Sequence, residues 1–116
     1  MDKKAIEKKL AELMDAVPEC EGLIAAHTDG KVIVGQTLTE MDHGSIAIAC
    51  SSIIKDANTL GVKTGKGALK DTTIELESGF AVIVSSASVV LIALAGTDGR
   101  PSLGLLKRNL TSIIKS

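Results

Sequence analysis

Residues 80–95 are apolar except for a short serine-rich break, Ser85-Ser86-Ala87-Ser88, and this stretch constrains the possible folds more than any other. A helix needs roughly 20 apolar residues to cross a bilayer, and this stretch is both shorter than that and polar at its centre. It reads instead as two strands and a turn, residues 80–84 and 89–95. Strands that are apolar at every position have no face to offer to water, so they belong at the centre of a sheet covered on both sides. Hydrophobic residues make up 45% of the 116 and charged residues 23%, enough to fill such a core within one domain spanning 1–116.

The flanking segments supply the cover. Ile6, Leu10, Leu13, Met14 and Val17 recur at helical spacing, with Lys and Glu between them, and predict an amphipathic helix that Pro18 stops. An apolar run from Gly22 to His27 and a second run, Val32, Ile33 and Val34, flank Asp29-Gly30, a strong signal for a hairpin. Thr39, followed three residues later by Asp42, has the pattern of a capping box and predicts a second helix over roughly 40–60. One side of that helix carries Ile46, Cys50, Ile53, Ala57 and Leu60, and the next carries Ala47, Ser51, Ile54 and Asn58. A helix apolar on two sides touches something on both, and its small residues, among them Gly44, Ala47, Ala49 and Ser52, allow another helix to come close. After a glycine-rich connection at 61–67, alternation over 69–77 predicts a half-buried strand, and after a loop at 96–100 Pro101 opens a third helix bearing Leu103, Leu106, Leu110 and Ile113. The resulting order is α-β-β-α-β-β-β-α, an α+β domain with a five-stranded antiparallel sheet between helices.

Most chemistries are disfavoured. The 13 Lys and Arg against 14 Asp and Glu leave a net charge of -1, with no surplus to neutralise a nucleic-acid backbone. Phe80 is the single aromatic residue, so stacking platforms are missing. Cys20 and Cys50 lack metal or redox spacing, and no basic start with an apolar run marks a signal peptide, which fits buried thiols in a reducing cytoplasm. The segment Gly61-Val62-Lys63-Thr64-Gly65-Lys66-Gly67 is one residue short of a phosphate loop and has Gly67 where the magnesium-binding hydroxyl belongs. His27 and His43 have no second ligand at metal spacing, and no serine sits in a nucleophile elbow. Glu75 and Glu77 share a strand face, where solvated edge charges explain them. Arg100 and Arg108 are the two cations that could act as an arginine finger in trans. No catalytic, cofactor or metal residue is assigned, and the expectation is a protein that is not an enzyme.

Element order and several strings together resemble the Roadblock family: residues 22–30 with 31–35, the small-residue second helix, 79–84 with 89–95, and Ser102-Leu103-Gly104-Leu105-Leu106-Lys107-Arg108. The family includes a dynein light chain and a bacterial gliding-polarity regulator, and its fold is shared in outline with profilin and longin domains. The resemblance implies a homodimer, or a heterodimer with a second Roadblock protein, in which third strands pair and second helices pack side by side. The implied interface residues are Ala47, Cys50, Ser51, Ile54, Asn58, Thr73, Ile74 and Glu75. It also implies a non-enzymatic cytoplasmic scaffold that binds and regulates a small Ras-like GTPase, with neither nucleic acid nor membrane insertion. The alternative is a sensor domain holding a small ligand between helix and sheet.

Overall fold

A computed structural model describes residues 2–115. Its elements are α1 (Lys3–Ala16), β1 (Cys20–His27), β2 (Val32–Thr37), α2 (His43–Thr64), β3 (Asp71–Leu76), β4 (Gly79–Ser85), β5 (Val89–Ala95), a 3-10 segment (Thr97–Ser102) and α3 (Leu103–Lys115). The five strands form one antiparallel sheet in the order β2-β1-β5-β4-β3, so the two fully apolar strands lie inside it and β3 lies at an edge.

Local chemistry explains the element ends. In the first hairpin Gly30 takes φ 94°, a conformation that costs other residues steric strain, while Asp29 Oδ1 accepts from the Lys31 amide at 3.0 Å. Helix α2 begins three residues later than a cap at Thr39 would place it. Asp42 is the N-cap: its Oδ1 accepts from the Ser45 amide at 3.1 Å and its Oδ2 from the Ser45 hydroxyl at 2.8 Å. These bonds hold the Asp42 carboxyl below its ordinary range. The helix also runs past Leu60. Gly61 lies within it, because the backbone of Gly67 folds back to where a Cβ on Gly61 would stand, and Gly65, with φ 69°, supplies the left-handed cap. Pro101 sits in the 3-10 segment and not in the first turn of α3.

The two faces of the sheet are covered differently. Helices α1 and α3 pack Ile6, Leu10, Leu106 and Leu110 onto Leu23, Val82, Leu91 and Ala93 to form the larger core. On the other face α2 alone lays Cys50 and Ile54 over Ile24, Ile83, Val90 and Ile92. Ile24, Ile92 and Ile83 sit opposite one another on β1, β5 and β4, giving a continuous apolar row beneath the helix.

Candidate functional site

The inward strip of α2 is Ala47, Cys50, Ile54 and Gly61, all buried. A helix advances 100° per residue, which puts Ser51, Lys55, Asn58 and Val62 on one side of this strip and Ile46, Ile53, Ala57 and Leu60 on the other.

The first side bounds a groove of about 710 Å³ whose other walls are Thr28, Ala68 and Leu69 and the β4–β5 turn at Ser85, Ser86 and Ala87. The chain itself uses most of the polar groups in this groove. Ser51 Oγ donates to the Thr28 carbonyl at 2.6 Å, Asn58 Oδ1 accepts from the Leu69 amide at 2.7 Å, and Ser85 Oγ donates to the Leu69 carbonyl at 3.1 Å. These bonds fasten α2 to the end of the sheet.

The second side has no such cover. Ile46 and Ala57 are half-buried, Ile53 is 38% exposed and Leu60 is 63% exposed. On the same face of the sheet, Ile74 and Leu94 are partly buried against the α2 core, and Leu76 is 59% exposed on the edge strand. An apolar strip therefore runs from α2 down to β3, whose outer backbone edge has no neighbouring strand among the described residues.

Residues 71, 73 and 75 of β3 project to the opposite face, toward α3. Asp71 Oδ1 lies 3.4 Å from Lys107 Nζ, and Glu75 Oε2 lies 2.7 Å from Arg100 Nη2. The Arg100 guanidinium also stands 5.0 Å from the centroid of Phe80, the cross-strand neighbour of Glu75. Arg100 is thus held by a carboxylate and a ring of its own chain.

The expected interface residues separate into two groups. Thr73, Ile74 and Glu75 stand together on the edge strand. Ala47, Cys50 and Ile54 face their own sheet, and Ser51 and Asn58 are tied to Thr28 and Leu69, so these five are already occupied within the chain. The sequence shows that α2 has two apolar sides but not which of them its own sheet takes. The side left open contains Ile53 and Leu60, and the expected set omitted both. The sequence carried a signal for them in the 46, 50, 53, 57, 60 stripe.

Other expected sites resolve similarly. The amides of Gly65, Lys66 and Gly67, which a phosphate loop would aim at its ligand, instead bond to the Val62 and Gly61 carbonyls and close the C-terminus of α2. His43 Nε2 lies 3.0 Å from Thr37 Oγ1, whose own proton goes to the Thr39 carbonyl, so Nε2 is the donor in that contact. His27 is exposed at the end of β1. Cys20 and Cys50 are free and buried, and burial pushes both thiols above their ordinary range. No helix among the described residues is long and apolar enough to cross a membrane.

This architecture has known counterparts. Two uncharacterized proteins of Methanocaldococcus jannaschii are each 28% identical over 102 residues, covering 88% of this chain and 87% of theirs. Among solved structures, a Roadblock/LC7 domain from Streptomyces avermitilis superposes with a TM-score of 0.80 at 20% identity, covering 93% of this chain and 92% of its own. Gliding protein MglB from Thermus thermophilus superposes at 0.85 with 8% identity, covering 96% and 86%. The family model described as Roadblock/LC7 domain matches residues 6–95, so the string at 102–108 lies beyond the match. With three-quarters of its length under that model, the chain belongs to the Roadblock/LC7 domain family.

Proposed function

We propose that this protein is a non-enzymatic, dimeric, cytoplasmic platform that binds and regulates a small Ras-like GTPase. The observation that carries this reading is the strip of exposed Ile53, Leu60 and Leu76 with half-buried Ile74 beside an unpaired strand edge. A second copy related by a two-fold axis would pair β3 with β3 and lay the open side of one α2 against the other, covering the strip and closing the edge in one step. Membership of the Roadblock/LC7 family and structural likeness to a gliding protein support the GTPase part. A platform of this kind acts by holding one nucleotide state of its partner more tightly than the other.

The reading predicts no arginine finger at Arg100, which Glu75 and Phe80 already engage. The sensor alternative would use the groove beside Lys55, whose hydroxyls and amide are largely committed to the chain's own bonds.

The test is capture of cytosolic proteins on immobilised protein, with a non-hydrolysable GTP analogue in one arm and GDP in the other. The expected result is a small GTPase enriched in one arm and lost when Ile53→Arg disrupts the dimer. Equal recovery in both arms, or no GTPase in either, would overturn the platform reading.

A further inference from the structure

We infer that Arg100 and Lys107 are counter-ion residues that make strand β3 able to pair with a second copy of itself. This rests on the dimer reading above and adds the charge requirement that such a dimer must meet.

The starting observation is a conflict. An edge strand that pairs with its own copy should be free of like charges on one face, yet β3 places Asp71 and Glu75 on the α3 side, with Glu77 just beyond. In a two-fold antiparallel pairing centred on Thr73, Asp71 of each copy lies opposite Glu75 of the other. Centred on Ile74, Asp71 lies opposite Glu77, and Thr73 opposite Glu75. Either register gathers carboxylates of both copies within cross-strand distance, and directly opposed like charges destabilise a sheet. Acidic edge residues are ordinarily a device against edge-to-edge pairing.

The structure supplies the answer on the same face. Lys107 stands 3.4 Å from Asp71, and Arg100 stands 2.7 Å from Glu75. The Arg100–Glu75 pair is exposed in the single subunit, with side chains at 64% and 62%, and the Lys107–Asp71 pair is partly so, with Asp71 half-buried; pairs of that kind contribute little to the stability of a monomer. Their placement is nevertheless well specified. Arg100 is oriented by the buried Phe80 ring below it and by a 3-10 segment pinned through the Gly99 amide to the Gly96 carbonyl at 3.0 Å and the Ser102 hydroxyl to Glu19 at 2.8 Å. Asp71 and Glu75 thus each bring a cation to the junction, so in the Thr73-centred register two identical strands meet as neutral pairs and not as four anions.

The experiment measures the dimer dissociation constant by sedimentation velocity for the wild type, Arg100→Gln, Lys107→Gln and the double variant Arg100→Gln with Glu75→Gln. At about 0.05 M NaCl, Arg100→Gln is expected to weaken the dimer about tenfold, because the lost cation acts at two symmetric places, and Lys107→Gln by less, because its contact with Asp71 is longer. Raising the salt to about 1 M, where the Debye length is about 3 Å, should erase most of the difference. Removing Glu75 together with Arg100 should restore wild-type affinity, since both members of the pair are then neutral. Dimers of Arg100→Gln as tight as wild type at low salt would overturn the inference. So would a double variant as weak as the single one, which would mean that Arg100 acts by packing on Phe80. A monomeric wild type would overturn the dimer reading itself, and this inference with it.

Discussion

The two faces of the sheet are built from the same kind of strand but finished differently. On one face α1 and α3 meet over β1, β4 and β5, and Leu23, Phe80, Val82, Val84 and Leu91 of those strands are buried there. On the other, one helix covers a row of isoleucines and leaves an apolar margin at Ile53, Leu60, Ile74 and Leu76. The closed face explains why the subunit folds. The half-open face carries the proposed partner surface, because it is where apolar area and an unpaired backbone edge coincide.

Substitutions can break this comparison, beginning with the most damaging. Ala47→Arg puts a guanidinium on the buried strip of α2, and should cost about 4 kcal/mol or more. In urea denaturation the variant should show little folded protein. Leu110→Ala removes a fully buried side chain from the closed face and should lower unfolding free energy by about 2–5 kcal/mol while leaving the oligomeric state unchanged. Ile53→Arg, less than two helical turns from Ala47, should shift the subunit's own stability by no more than about 0.5 kcal/mol while abolishing association in light scattering. The contrast between residues 47 and 53 would show which side of α2 serves the fold and which serves the partner.

The smallest effect lies at the start of α2. Because the Ser45 amide and hydroxyl lower the Asp42 carboxyl in the folded chain, its contribution is complete above the ordinary value of 3.8 and fades as the pH falls through the lower folded value. Melting curves should therefore show Asp42→Ala slightly less stable than wild type at neutral pH, the two converging in strong acid.

Much of this was legible from the residues. The continuous apolar runs announced central strands, Asp29-Gly30 announced the hairpin, and the alternation around Ile74 announced a half-buried edge. These signals are local, so they survive without tertiary information. What failed to appear was set at a distance. Helix α2 passes through Gly61 because Gly67 returns over it, which no window around Gly61 reveals. Its inward side could not be chosen from periodicity, since Ile53 and Ile54 are equally apolar and only the position of the sheet separates them. The link from Arg100 to Glu75 joins residues far apart in the chain, so a solvated edge charge and an apparently free arginine are in fact one structural unit.

Amide hydrogen exchange, followed residue by residue along the two outer strands as protein concentration is raised, tests the central claim most directly. Amides of β3 should gain protection as the protein associates, while those of β2, at the far edge of the sheet, exchange at the same rate throughout. Association that protects β2 and leaves β3 unchanged would contradict that claim, as would exchange at both edges that does not depend on concentration.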